Sequence, residues 1–286
     1  MRASSGPSYA GTHSPRLKAA RRLAKRAFRD RERLFLAEGP QAVGEALAYG
    51  ATITDLFVTA AARSRHADLV DAIAVPVHLV NDAVMSELAQ TVTPQGLLAV
   101  CGFVDVPLHQ AVTEQARLVA ILANVRDPGN AGTVLRAADA AGADAVIFAD
   151  ASVDPYNGKC VRASAGSLFH LPVVVGARLA DVIKALHEAG LRVKAADGGT
   201  GRSLDEPEVT ARLAEPTAWL FGNEAWGLPP ELVALADEAV GIPIYGRAES
   251  LNLATAAAVC LYATARAQRA TNDTPLRRNV TGQGRI

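Results

Sequence analysis

Apolar residues in the second half of the chain gather into short unbroken runs, at residues 118–123, 145–149, 173–175, 191–196, 218–221 and 239–242, with helix-like segments between them. A strand covered on both faces reads as a continuous apolar run rather than an alternation, so the pattern predicts an α/β fold with a largely parallel sheet. The first half is less regular. Ser14-Pro15 starts a helix through about Arg29, a strand is expected at 34–36, and a helix follows Gly39-Pro40 as far as Tyr49. Strands at 53–59, 77–80 and 97–102, with helices near 65–73 and 82–90, complete a smaller α/β unit. Residues 103–116 carry Pro107 and no clear period. A length of 286 residues suits two domains. The expected plan is a flexible arm over 1–14, a domain over 15–103, a linker over 104–116, a second domain over 117–270 and a flexible tail over 271–286.

Chemistry gathers at the strand ends of the second half. Gly222-Asn223-Glu224 follows the apolar run that ends at Phe221, and Gly222 lets the backbone turn sharply or approach a ligand closely. A strand over 238–242 ends at Pro243, and Ser250-Leu251-Asn252 precedes an alanine-rich helix to about Gln268, with Ser250 the expected N-cap. Asn124 to Asn130, reading NVRDPGN, follows the first strand of this half, and Arg136 interrupts the apolar face of the helix behind it. A charge there needs a partner, and Glu224 is one candidate. Lone carboxylates, amides and glycines at the mouths of buried strands usually bind something. Two ordinary loops with a helix cap would show the same residues.

Composition changes this picture in two ways. Half the residues are hydrophobic, ample for packed cores. Net charge is zero, yet residues 1–38 hold ten Lys or Arg against three acids, and 262–286 hold five against one, leaving the middle acidic. Arg16, Lys18, Arg21, Arg22, Lys25, Arg26, Arg29, Arg31 and Arg33 form a patch of the kind that recruits phosphates. A solvated helix face would give the same count, although such faces usually alternate in sign. Cys101, Cys160 and Cys260 form no CxxC pair, which points to a reducing compartment and away from structural zinc. The six histidines show no metal-ligand spacing, and no apolar stretch approaches membrane-spanning length. A cytoplasmic protein without metal or membrane partner is expected.

Three ordered motifs, NVRDPGNAGTVLRAADAAG at 124–142, FGNEAWGL at 221–228 and IPIYGRAESLNLATAAA at 242–258, resemble the SpoU, or TrmH-like, family of RNA ribose methyltransferases in the SPOUT superfamily. DPYNGKCVRASAGSLFHLPV at 154–173 also looks like that family, and the resemblance covers about residues 115–268. The first half is similar to the substrate-binding domain that precedes many such enzymes, an α/β unit resembling ribosomal RNA-binding proteins. The resemblance implies S-adenosyl-L-methionine held in a deep trefoil knot made by the second and third motif loops, and a homodimer whose active sites draw on both subunits. No periodicity reveals a knot, and knots are rare. By motif match, Gly222, Ile242 and Leu251 should offer backbone groups to the adenine and methionine moieties, with Asn223, Pro243 and Leu253 beside them. Asn130, Arg136, Glu224, Ser250 and Asn252 should line the reaction centre. Ala225-Trp226 stands where the family often has smaller or charged residues.

In the implied reaction a ribose 2′-hydroxyl attacks a methyl activated on sulfonium, helped by in-line positioning and partial removal of the hydroxyl proton. The family's central arginine, here Arg136, is proposed as the base, but a guanidinium stays protonated across ordinary pH. Gripping the adjacent phosphate and favouring the developing alkoxide suits it better, with Glu224 orienting it. Lys159 and Arg162, with Arg16, Arg21, Arg22, Lys25 and Arg26, are the expected RNA contacts. Ribosomal RNA, 23S in particular, is favoured over transfer RNA because a large folded substrate repays an extra docking surface. A resistance modification and a housekeeping one are both open. So are a transfer RNA 2′-O-methyltransferase, base methylation by another SPOUT branch and a non-catalytic RNA-binding assembly factor. A dinucleotide oxidoreductase lacks its GxGxxG fingerprint. Gly198-Gly199-Thr200-Gly201 reads as a turn, His170 as a structural loop histidine, and Cys160 as no catalytic thiol.

Overall fold

Ser14 caps the first described element. In the computed structural model, which describes residues 14–89, 91–199 and 202–272, its hydroxyl accepts from Leu17 N–H at the start of α1 (Pro15–Arg22). Residues 1–13 of the arm expected over 1–14, residues 273–286 of the tail expected from 271, and Thr200-Gly201 of the glycine-rich turn lie outside the described residues, while residues 271 and 272 continue the last helix. The single helix expected through Arg29 is broken. The chain turns at 23–25 and restarts as α2 (Arg26–Glu32), because the Arg29 guanidinium folds back to donate to the Leu23 and Ala24 carbonyls at 2.8 and 2.9 Å.

There follow β1 (Leu34–Glu38), α3 (Pro40–Ala48), β2 (Ile53–Val58), α4 (Ala60–Arg65), α5 (Ala67–Ala72), β3 (Val77–Leu79), α6 (Asp82–Leu88) and β4 (Leu97–Gly102). They form a four-stranded sheet in the order β1-β4-β2-β3, with β4 antiparallel to both neighbours and β3 parallel to β2. The following stretch holds a one-turn helix, α7 (Leu108–Ala111), and is tied to the second sheet by a bond from Val106 N–H to the Val173 carbonyl.

The second unit comprises β5 (Leu118–Ala123), α8 (Pro128–Ala141), β6 (Ala145–Ala149), α9 (Gly158–Ser164), β7 (Val173–Ala177), α10 (Leu179–Glu188), β8 (Arg192–Ala196), α11 (Pro207–Arg212), β9 (Thr217–Phe221), α12 (Pro230–Val233), β10 (Glu238–Val240) and α13 (Leu253–Asn272). Its six strands lie in the order β10-β8-β9-β5-β6-β7, every pairing parallel, as the apolar runs predict. Central β5, β6 and β9 are buried at every position. From β5 the chain steps one way to β6 and β7, and then crosses to fill the other side. Crevices for ligands open at the carboxyl ends of strands where the order reverses in this way, here between β5 and β9.

The two units share one apolar core, which runs from Phe35, Ala37 and Val43 to Leu118, Val134 and Leu168. Polar bonds cross the same seam. Arg29, counted in the basic patch on sequence, is 3% exposed and grips the buried Asp154 at 2.9 and 2.6 Å, so it is no RNA contact. Arg33 binds Asp105 at 2.8 Å, and Asp105 accepts from the Tyr156 hydroxyl at 2.7 Å. His170 sits between Asp139 at 2.7 Å and Glu45 at 3.1 Å, a structural histidine as expected. Among the described residues no helix is long and apolar enough to cross a membrane, and no cluster of side chains suits a metal ion.

Candidate active site

The crevice between β5 and β9 is built from tight turns. Asn124 leaves β5 in the left-handed region at φ 56°, and Asp127 caps α8 by accepting from Asn130 N–H at 2.8 Å, with Pro128 in the first helical turn. The other Asp127 oxygen takes the Lys159 ammonium at 2.6 Å, and that bond above all holds the carboxyl below its ordinary pKa. Gly222 leaves β9 where a Cβ would lie 2.4 Å from the Gly227 carbonyl oxygen, so only glycine fits without moving backbone. Asn223 and Gly227 then exchange two backbone bonds of 2.9 Å, and the buried Asn223 amide donates to the Asn124 carbonyl at 2.9 Å.

Glu224 closes the crevice, but not by orienting Arg136. One carboxylate oxygen accepts from Arg126 N–H at 3.1 Å; the other accepts from Asp127 N–H at 3.0 Å and from the Asn130 amide at 3.3 Å. Burial pushes this carboxyl up, but the hydrogen bonds from Arg126, from its own N–H, from Asp127 and from Asn130 outweigh it and hold the pKa below the ordinary value. Glu224 is therefore an ionised acceptor that locks the second motif loop onto the first. Arg136 lies outside the buried face of α8, which consists of Ala131, Gly132, Val134, Leu135, Ala138 and Ala141. It is exposed, and makes no hydrogen bond or ion pair with any described residue.

The third motif joins through Asn252. Its side-chain oxygen accepts from Ala254 N–H at 2.9 Å, so Asn252, not the expected Ser250, caps α13. That contact fixes the amide orientation, since the Asn252 nitrogen must then face the Asn130 oxygen, at 3.0 Å, and the Asn130 nitrogen must face Glu224. Glu224, Asn130 and Asn252 thus form a chain of bonds through all three motifs. Ser250 is exposed and unbonded within the described residues. Ile242 and Leu253 pack against the main core, Pro243 is half-buried, and Leu251 is exposed. Residues 242–251 make no backbone–backbone hydrogen bond with any described residue. The loop therefore presents a run of backbone donors and acceptors beside apolar Ile242 and Leu253.

Residues 117–262 match the SpoU rRNA Methylase family. This chain belongs to that family. As a SpoU family member it also matches, over residues 14–99, an MRM3-like substrate binding domain. It is 35% identical to the 23S rRNA (guanosine(2553)-2′-O)-methyltransferase RlmP of Bacillus subtilis over 86% of this chain and 94% of that one. Its fold is similar to the AdoMet-bound rRNA methyltransferase from Sinorhizobium meliloti, at TM-score 0.76 and 33% identity, covering 91% of this chain and 97% of that one. It is also similar to the SpoU methyltransferase AviRb from Streptomyces viridochromogenes, at TM-score 0.79 and 27% identity, covering 90% and 99%.

The basic residues of this SpoU chain are less free than their count suggests. Arg16 pairs with Asp55 at 3.4 Å, Arg21 with Glu87, Arg26 with Asp30 at 3.5 Å and Arg162 with Glu38 at 3.1 Å. Arg22 lies over the Phe28 ring, and Lys25 is exposed. Most of these pairs are partly exposed, where an ion pair is worth little and an RNA phosphate competes readily. Cys160 is fully buried, and burial pushes its thiol pKa up, which removes the thiolate a nucleophile needs. The sequence reading missed Asp127 as the hinge between Lys159 and α8. Asp127-Pro128 is a legible cap followed by a first-turn proline, so the signal was present.

Proposed function

We propose that this protein is an S-adenosyl-L-methionine-dependent RNA 2′-O-methyltransferase that modifies a ribose of 23S ribosomal RNA. The observation that carries this reading is the Glu224–Asn130–Asn252 chain of bonds, which draws three separate motifs into one crevice. The likeness to RlmP, over nearly the full length of both chains, supports the RNA class. The cofactor fits the site on chemical grounds: the backbone of residues 242–251, unpaired among the described residues, offers donors and acceptors to an adenine edge, and Ile242 and Leu253 offer apolar walls. Bound there, S-adenosyl-L-methionine supplies a methyl group already activated on sulfonium.

The chain's own residues do the rest. Gly222 and Asn223 hold the second loop close to the first, with Ile242, Pro243, Leu251 and Leu253 forming the opposite wall. Asn130 and Asn252 fix the loops around the ribose, and Ser250 faces the same mouth. Arg136, exposed and unpartnered among the described residues, grips a substrate phosphate and stabilises negative charge developing on the 2′-oxygen. Lys159 and Arg162, with Arg16, Arg21, Arg22, Lys25 and Arg26, carry the approaching strand by charge. The active unit is a homodimer, supported by the exposed Val259 and Tyr262 on α13. The return from edge strand β10, through a loop tied to the first motif, to α13 packed on α8 supports a knotted path.

The test is transfer of labelled methyl from S-adenosyl-L-methionine to unmodified ribosomal and transfer RNA, with the product nucleoside identified by mass spectrometry. Label in a ribose-methylated nucleoside of 23S RNA, lost in Arg136→Ala, is expected. Label in a base, or in transfer RNA alone, would overturn the assignment. No transfer and no cofactor binding by calorimetry would leave an RNA-binding assembly factor.

A further inference from the structure

A cavity of about 300 Å³ opens on the seam between the two units, lined by Gln41, Thr91, Thr93, Gln95, Glu38 and Arg162 with small apolar walls. Its position ties it to the candidate reaction centre. Lys159 and Arg162 lie three residues apart in α9, one turn along the same side. Lys159 reaches Asp127 in the first motif loop, and Arg162 reaches Glu38 in the cavity. The backbones of the residue that touches the first motif loop and the residue that lines the cavity are thus about 4.5 Å apart along one helix axis.

Its chemistry suits a neutral, flat, hydrogen-bonding ligand. Among the described lining residues the one cation, Arg162, is matched by the one carboxylate, Glu38, so the cavity itself carries no net charge. The other polar groups are amides and hydroxyls, each both donor and acceptor, the groups that read base edges. Gln95 lies over Gly39, where a Cβ would meet its side-chain oxygen at 2.7 Å. The side chains of Gln95, Thr91 and Thr93 make no hydrogen bond within the described residues. Gln41 spans the seam to the Ala165 carbonyl at 3.0 Å and so fixes the width of the cleft. A volume near 300 Å³ is at the lower end of small-ligand sites, on the order of one nucleoside.

We propose that this cleft is a nucleobase pocket, which takes one base of the substrate RNA splayed out beside the nucleotide that is methylated. It rests on the reading of the chain as an RNA methyltransferase and adds the element that sets sequence preference. Single-stranded bases are read in this way, on their edges, once unstacked.

The experiment uses the full chain, wild type and with Gln95→Ala, Thr93→Val or Thr91→Val, each first shown to melt as the wild type does. The Gln95 side-chain amide signal, identified by its loss in Gln95→Ala, is followed by NMR during titration with the four nucleosides and, separately, with ribose 5-phosphate. At least one nucleoside should move it and ribose 5-phosphate should not, with Thr93→Val abolishing the response. In methyl transfer, each variant should raise the KM for RNA about five- to tenfold, the loss of one or two hydrogen bonds, with kcat within about twofold. Cofactor affinity should be unchanged. A signal unmoved by every nucleoside, one moved equally by ribose 5-phosphate, or an unchanged KM in all three variants would overturn the pocket. Absence of any methyl transfer by the wild type would instead sink the enzyme reading, and the titration alone would then decide whether the cleft takes a base.

Discussion

The seam between the two units and the mouth of the crevice are both polar, and they are built in opposite ways. At the seam, charges are buried: the side chains of Arg29 and Asp154 are 4% and 7% exposed, and Asp154 also accepts from the N–H of Tyr156, whose ring stacks on Phe103. At the mouth, Glu224, Arg136, Asn252 and the loop from Ile244 to Leu251 are exposed. A buried pair holds one geometry because breaking it leaves a charge without water. An exposed network holds its geometry only by the number of its bonds, and it gives way to a ligand that offers equivalent ones. The seam sets the distance between substrate-binding unit and crevice, and the mouth leaves room to close on what arrives.

The largest effect should come from breaking the seam. Arg29→Ala strands Asp154 and frees the Leu23 and Ala24 carbonyls, and should cost about 3–5 kcal/mol in denaturant unfolding. Replacing both partners, Arg29→Met with Asp154→Leu, should recover much of that loss. A single mutant that unfolds like the wild type would show that the seam is no firmer than the mouth.

Arg136→Lys tests the mouth alone. The residue is exposed and pairs with nothing described, so stability should not move. Lysine keeps the charge but not the two-pronged grip, so turnover should fall about 100-fold while RNA affinity falls far less. Single-turnover rates and filter binding separate the two, and near-wild-type turnover would defeat the clamp.

Gly222→Ala sits between the regions, at the buried root of an exposed loop. Its Cβ would lie 2.4 Å from the Gly227 oxygen, so the turn must open, at about 1–3 kcal/mol. Calorimetry should show cofactor affinity weakened more than the melting point suggests. Equal affinity would mean that the turn tolerates opening.

What the sequence showed of these regions follows the same division. The parallel sheet was legible because strands buried on both faces must be apolar throughout, and all six runs fall within two residues of the observed strands at both ends. β10 stops at Val240, two residues short of Ile242, because it lies at the sheet edge and only β8 pairs with it. The seam was hidden. Arg29 looked like one more charge in a basic run, and its partner lies 125 residues away. The break after α1 carries no glycine or proline to announce it. At the mouth the motifs were legible but their wiring was not, because Glu224 binds backbone N–H groups that leave no mark in a sequence.

That wiring gives the smallest and sharpest prediction. Glutamine at position 224 keeps the shape of the side chain but turns one oxygen into a donor, facing N–H groups that need an acceptor. Since Glu224 is exposed, global stability should change little, while order in the Arg126-Asp127 turn should be lost and cofactor affinity should fall about tenfold. The acid limb separates this from a generic defect. The folded carboxyl titrates below its ordinary value of 4.5, so its contribution is complete above that pH and is lost as pH falls through the lower folded value. Wild-type cofactor affinity should therefore drop in acid toward that of Glu224→Gln, and the two curves should meet. Asp127, also held low, titrates in both proteins and cancels in the comparison. Calorimetry across that range checks it: curves that stay parallel would mean that Glu224 does not lock the loops, and the mouth would then owe its order to Asn130 and Asn252 alone.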